Sequence, residues 1–442
     1  MSDSKRRDFL KATAGVAAGA ALGTGSALMP SLAAAAEYKV TPEKGAKLRL
    51  LRWKRFVQGD ETLWMENTKK FTAKTGIPVQ VDNESWEDVR PKAAVAANIG
   101  SGPDLILGWL DDPFQYSDKL VDVTDLANYL GAKYGGWYDI CRTYGMHGKR
   151  WQSIPVGIVG NAIVYRDSLV KAAGFDGVPK DSAGFLKLCK ALKAKGTPAG
   201  FAFGHAVGDG NTWCNWLLWQ QGGKLVDAHN NVVINSPETI AALEYAKELY
   251  DTFIPGTLSW GDPSNNKAFL GGQISLTANG ISIYYVAKDS TDAAMKAMAE
   301  DIQHARFPIG PAGKPTEFNL FTQMMIFKYS KYPNAAREYL RFMMEGDQFN
   351  PWMKAAIGYV SQPLKAYASN PMWTADPKAT PYRDVAAVTL SDGYAGTLGY
   401  ASAAVMADYV VVDMFASVVS GAKTPKDAAA LAEKQALRYY KV

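Results

Sequence analysis

Histidine and cysteine are scarce in this 442-residue chain, with four of the first and three of the second. His147, His205, His229 and His304 stand far apart, and neither an H-E-x-x-H pair nor an EF-hand loop is present, so no familiar metal site can be written from them. Cys141, Cys189 and Cys214 are odd in number and widely spaced, which excludes a disulfide framework and a thiolate cluster and leaves them as core thiols. Nothing fits G-x-x-x-x-G-K-[ST], which excludes ATP hydrolysis through a Walker loop, and there is no G-x-S-x-G nucleophile elbow. No cofactor is expected. Charge of one sign is not in excess either: 48 Lys and Arg stand against 43 Asp and Glu, a formal net charge of +5. Such mild basicity argues against a nucleic-acid surface.

Long apolar runs are confined to the start. Lys5-Arg6-Arg7-Asp8-Phe9-Leu10-Lys11 precedes an uncharged Ala/Gly-rich stretch that ends in Ala33-Ala34-Ala35-Ala36. Paired arginines, an apolar segment and small-residue cleavage sites describe a twin-arginine export signal, assigned to residues 1–36. Beyond it no stretch approaches about 18 uncharged apolar residues, so the mature chain is expected to be a soluble periplasmic protein. About 400 residues then remain, more than one core usually organises, and two lobes of roughly 200 residues each are expected. What the chain has in quantity is aromatic side chains, 12% of residues with 12 tryptophans. Tryptophan is favoured where one ring face binds and an edge stays wet.

The first part of the mature chain reads β-α-β-α-β. Lys47 to Trp53 is a strand, and Asp60 is placed to cap a helix closed by Gly76. Pro78 to Asp82 is a second strand, Glu84 to Asn98 a second helix with Trp86, Val89, Ala93 and Ala97 on one side, and Pro103 to Trp109 a third strand. Crossovers of that length make parallel neighbours. Three parallel strands release their following segments on one carboxyl edge, where open α/β sheets bind ligands. That edge collects Trp53, Lys54 and Arg55, then Asn83 and Glu84, then Trp109, Asp111 and Asp112. Tryptophan, amides and carboxylates gathered there suit a polar small molecule, although Trp109 could equally pack beneath its own loop and either aspartate could cap the next turn.

Further along, Ser153 to Arg166 is an extended segment broken by Gly157 and Gly160, suited to a bend between lobes, and Phe307 to Pro311 is a second crossing. Thr212 is expected to cap a helix carrying Trp213 and Trp216, with Trp213 either at a ligand or in the core. Asn230-Asn231 marks a hairpin, and a strand from Ile274 to Ala278 ends in Asn279-Gly280.

In order and spacing, several stretches resemble one family: Phe71 to Val79, Gly102 to Ile106, Ile154-Pro155 with Val164-Tyr165-Arg166, Phe269 to Ile274 with Asn279-Gly280, and Asn334 to Leu340. Together they are similar to the sugar-binding extracellular solute-binding proteins of bacterial ABC importers, the family of the maltodextrin-binding proteins. The resemblance implies an α/β, two-lobed periplasmic binding protein fold of type II character, with several hinge crossings and a ligand cleft between the lobes. Lobe one is expected to comprise 37–154 plus 266–308, and lobe two 155–265 plus 309–442. It also implies contacts at Trp53, Trp109 and Asp112, and brings Gly160 or Asn161 to the cleft. The family often carries a tryptophan two residues after Asn-Gly. Ser282 stands there instead, so Trp213, Tyr284, Tyr359 or Tyr394 becomes the candidate for stacking in the second lobe.

The expected function is capture of a sugar or oligosaccharide by a monomeric receptor that delivers it to permease subunits, without catalysis. Two alternatives stay open. One is a binding protein for another polar solute, a polyol or glycerol phosphate ester, since Lys54 and Arg55 would suit an anion. A periplasmic carbohydrate-cleaving enzyme would need paired carboxylates, which usually come from different elements, whereas Asp111 and Asp112 are adjacent.

Overall fold

The structure, a computed structural model, describes residues 38–440; the expected signal peptide lies outside the described residues. Two sheets organise it. In the first, β1 (Leu48–Trp53), β2 (Val79–Glu84) and β3 (Leu105–Trp109) are joined by α1 (Gln58–Thr75) and α2 (Trp86–Ile99). β1 pairs in parallel with β2, from Leu48 opposite Val79 to Trp53 opposite Glu84, and in parallel with β3 through Leu50 and Leu51 opposite Leu105 and Ile106. The expected parallel β-α-β-α-β unit is therefore formed, and the order β2-β1-β3 places the direction switch beside β1. All five residues of β3 are buried, the signature of a strand covered on both faces.

Local chemistry explains the helix ends. Ser85 caps α2 by accepting from the Asp88 amide at 3.2 Å, Glu87 and Asp88 sit at its positive end, and Gly100 closes it in the left-handed conformation with φ 67°. Asp60, expected to cap α1, instead lies inside the first turn and is fully buried, because its carboxylate is taken by Arg52 and Trp53 of β1 and by Trp352.

The chain crosses between the sheets at Gly160-Asn161. β4 (Ile154–Val159) belongs to the first sheet, and β5 (Ala162–Arg166) begins the second. Helix α3 (Asp209–Gln220) follows. Thr212, expected to be its cap, lies within it, because Asp262 from a distant loop receives the Val207, Gly208 and Asp209 amides and the helix starts one turn earlier. β6 (Leu276–Asn279) and β7 (Ile302–Ala305) flank β5 on either side, both antiparallel to it. The chain then returns through the stretch containing Phe307 to Pro311 to β8 (Leu320–Ile326), which pairs antiparallel with β3 and β4.

The expected lobe boundaries are corrected by these pairings. β6 and β7, placed with lobe one on sequence grounds, belong to the second sheet, while β4 and β8, placed in lobe two, belong to the first. Strands pair through hydrogen bonds between residues remote in sequence, and nothing local in residues 276–326 states which sheet they join. The three cysteines are buried and unpaired, as core thiols.

Candidate functional site

A narrow cavity lies where the two sheets meet. The first sheet's side supplies Phe56, just past β1, Trp86 at the first residue of α2, Val159 at the end of β4, Leu320 at the start of β8, and Tyr359. Facing them are Asn161, Asn279, Gly280 and Ser282, the amino end of α3 with Gly208, Asp209 and Thr212, and Asp262. The carboxyl edge of the parallel unit therefore does open on the cavity, through different side chains from those singled out in the sequence.

Aromatic stacking builds the first wall. Trp86 lies on Trp109 with ring centroids 4.3 Å apart and planes 11° apart, and Trp53 stacks within 5.4 Å of both. Phe56 meets Trp86 edge-on at 5.3 Å and lies parallel to Tyr359 at 6.4 Å. Such pairs contribute about 0.5–1.5 kcal/mol each beyond burial, enough to hold the front ring in place. Trp53 and Trp109 are 1% and 0% exposed, so they back Trp86 rather than line the cavity.

Hydrogen bonds order the opposite wall. The Asn161 amide N–H donates to the Asn319 Oδ1 at 2.6 Å, tying the two crossing segments together, and its side-chain Nδ2 donates to the Thr212 Oγ1 at 2.7 Å. The Asn279 Nδ2 donates to the Asn266 Oδ1 at 2.5 Å. Asp262 Oδ2 accepts from the Val207 amide at 2.9 Å, and Oδ1 accepts from Gly208 and Asp209 at 3.0 and 2.8 Å. Burial pushes the Asp262 carboxyl up to about 6 despite those three donors. Asp209, beside it, is pushed well above the usual carboxylate range, first by burial and then by the Asp262 charge.

Of the residues expected at a ligand, Asn161, Asn279 and Tyr359 line this cavity and nine others do not. Besides Trp53 and Trp109, Arg55 is drawn outward by Glu61 at 3.0 Å. Glu84 pairs with Lys92 at 2.5 Å on a different surface groove, and Asn83 sits half-buried in β2 with its Oδ1 unpartnered. Asp112 turns back to accept the Trp109 amide at 2.9 Å and the Arg90 Nε at 2.8 Å. Asp111 is buried and accepts the Ser402 hydroxyl at 2.8 Å. Trp213 lies in the core against Phe201, centroids 3.8 Å apart. Tyr394 packs edge-on to Trp219 and takes a hydrogen bond from Lys314.

Sequence reasoning passed over Phe56, Trp86 and Asp262. Trp86 carried a signal, since the first residue of a helix that follows a parallel strand sits at the ligand edge. Asp262 carried none, its role being to cap a helix far away in sequence.

Residues 66–381 match the family model for bacterial extracellular solute-binding proteins, and residues 3–23 match the twin-arginine translocation signal, which directs the chain to the periplasm. A probable ABC transporter-binding protein of Deinococcus radiodurans is 27% identical over 191 residues, 41% of this chain and 44% of that protein, so the aligned part spans less than half of that relative. The diacetylchitobiose binding protein DasA of Streptomyces coelicolor is 23% identical over 370 residues, 82% of each chain. Maltose-bound MalE3 of T. maritima superposes with a TM-score of 0.76 at 19% identity, covering 88% of this chain and 99% of that one. The fold is thus the two-lobed α/β periplasmic binding protein architecture, and the chain belongs to the bacterial extracellular solute-binding protein family.

Proposed function

We propose that the cavity between the two sheets captures a sugar or short oligosaccharide, that the lobes close over it, and that the closed form delivers it to the membrane permease subunits of an ABC importer. One observation carries this reading: the rings of Phe56, Trp86 and Tyr359 converge with Asn161, Asp209, Thr212, Asp262, Asn279 and Ser282 on one cavity. A pyranose presents an apolar C–H face that a ring can cover and a rim of hydroxyls that amides and carboxylates can partner. A wrong epimer leaves buried polar groups unpaired, at about 1–3 kcal/mol each, which gives selectivity. DasA and MalE3, which share family or fold, carry diacetylchitobiose and maltose in their names.

Lobe one is built on the five-stranded sheet and lobe two on the three-stranded sheet, hinged at Gly160-Asn161 and at the stretch before β8. Closure follows because contacts from both walls are complete only in the shut form, which shifts the population towards it. The receptor acts as a monomer, holds no cofactor, binds no nucleic acid and performs no catalysis. Both Asp262 oxygens are engaged by backbone amides, and Asp209 stands on the same wall, whereas a glycosidase pair faces across the bond it cleaves.

A melting screen tests this. Ligand at 100 times its dissociation constant stabilises the fold by about 2.7 kcal/mol. Maltose, N,N′-diacetylchitobiose or a related neutral sugar should raise the melting temperature without being cleaved. No shift across the panel, or release of monosaccharide, would overturn the reading.

A further inference from the structure

Two carboxylates share one wall of the cavity with the amino end of α3. An amino end is ordinarily a ready anion site, because its free N–H groups and the helix dipole both attract negative charge. Here that capacity is already filled from within the chain, since Asp262, 6% exposed, takes the Val207, Gly208 and Asp209 amides. Among the described residues lining the cavity there is no Lys, Arg or His to replace it.

Three polar atoms on the lining are buried without a partner. They are the Asp209 Oδ2, the Asn161 Oδ1 and the Trp86 Nε1, and Asn161 and Trp86 are themselves 7% and 5% exposed. The Asn161 Oδ1 accepts, the Trp86 Nε1 donates, and the Asp209 carboxyl, raised by burial, can do either. Groups left open in this way suit hydroxyls, which both donate and accept.

Resting on the carbohydrate-receptor reading, we infer that this cleft is a charge filter: it takes uncharged, hydroxyl-bearing ligands and rejects phosphorylated or carboxylated sugars, with Asp262, which fills the amino end of α3, as the charged group and Asp209 as its hydrogen-bonding neighbour on the wall. A phosphate or uronate entering the cavity would meet the Asp262 carboxylate, no compensating cation on the lining, and an amino end whose amides are spoken for. The groups facing the pair from other elements do not reverse this sign. Glu87 of α2 adds negative charge near Asp262, Tyr359 and Tyr409 are neutral phenols, and Arg90 is engaged by Asp112. The Asn265 side chain is the remaining neighbour that partners Asp209.

Titration calorimetry on the mature protein decides it, with glucose and maltose as neutral probes and glucose 6-phosphate and glucuronate as their charged counterparts, extended to N,N′-diacetylchitobiose and ribitol. The neutral probe that binds should bind more than about 100-fold tighter than its anionic counterpart, since a like charge placed opposite a buried one is strongly opposed. Asp262→Asn should narrow the gap to the anion about 10-fold, whereas Asp209→Asn, which exchanges one neutral group for another, should leave the gap nearly unchanged. An anion that binds as tightly as its neutral counterpart would overturn the filter while leaving the receptor reading standing. An unchanged gap in a folded Asp262→Asn would overturn the role of Asp262. Silence towards every carbohydrate, charged or not, would instead sink the receptor reading on which the filter rests.

Discussion

Arg52 and Asp60 form a buried ion pair behind the aromatic wall, and a second substitution there should repair the damage done by a first. The guanidinium Nη2 donates to both Asp60 oxygens at 2.8 and 2.7 Å, with side chains 1% and 0% exposed. Asp60 also accepts the Trp53 Nε1 at 2.8 Å and the Trp352 Nε1 at 2.9 Å, and Arg52 lies 4.7 Å from the centre of the Trp64 ring. Asp60→Leu removes the acceptor. Trp352 retains the Asp60 backbone carbonyl at 3.1 Å, but Trp53 has no such second acceptor and loses its partner, for about 1–3 kcal/mol. Arg52 becomes an uncompensated buried charge, for about 3–5 kcal/mol more. Adding Arg52→Met to Asp60→Leu takes away that second penalty and keeps an apolar stem against Trp64. At about 2.1 cal/mol/K per residue, some 400 residues unfold with an entropy near 0.85 kcal/mol/K, so recovering 3–5 kcal/mol raises the melting point by about 4–6 °C. Differential scanning calorimetry of wild type, both single variants and the double variant measures this directly. A double variant that melts no higher than Asp60→Leu would show that the pair is not the buried charge problem the geometry describes.

Other substitutions separate cleft from core. Trp86→Phe should weaken binding of a neutral sugar several-fold and, because Trp86 also stacks on Trp109, lower the melting point, whereas Trp213→Leu, which disrupts the stack on Phe201, should lower the melting point and leave affinity unchanged; calorimetric titration beside thermal unfolding distinguishes them. Gly157→Ala should cost more than about 3 kcal/mol, seen as a large fall in melting temperature or loss of soluble protein, because Gly157 has φ 156° and an added Cβ would collide with the Ser361 carbonyl and the Val360 side chain. Asp111 and Asp392 are buried together and each is held above its usual range, chiefly by burial, so the folded chain retains protons the unfolded chain has lost and stability falls as pH rises through the folded-state values. Asp111→Asn keeps an acceptor for Ser402 and should therefore melt higher than wild type at pH 8, with the difference vanishing towards pH ~3, below the unfolded aspartate value of about 3.9; an equal offset at both pH values would refute the shared burial as cause.

How far the sequence reached is set by the range of the interactions involved. Parallel β1, β2 and β3 were legible because helical crossovers of known length leave little choice of direction, and from that the ligand edge followed. Naming the side chain at each tip was harder, because a strand's last residue and the residue three places later point into different spaces. Trp53 ends β1 and turns into the stacked layer, while Phe56 reaches the cavity; Trp109 ends β3 and packs behind, while Trp86, read as one more residue of a helix core, stands in front. A tryptophan's bulk is visible in a sequence, but the layer it occupies is decided by neighbours from other strands. Sheet membership failed for the same reason, since β8 joins β3 and β4 through pairings that nothing within its own seven residues specifies. Asp262 is the extreme case. Its identity gives an acid in a loop, and only the approach of Val207, Gly208 and Asp209 makes it the cap of α3 and a wall of the cleft. By supplying that cap from a remote loop, the fold fills an anion site with a carboxylate of its own, so the proposed preference of the cleft for uncharged ligands arises from tertiary structure rather than from any motif.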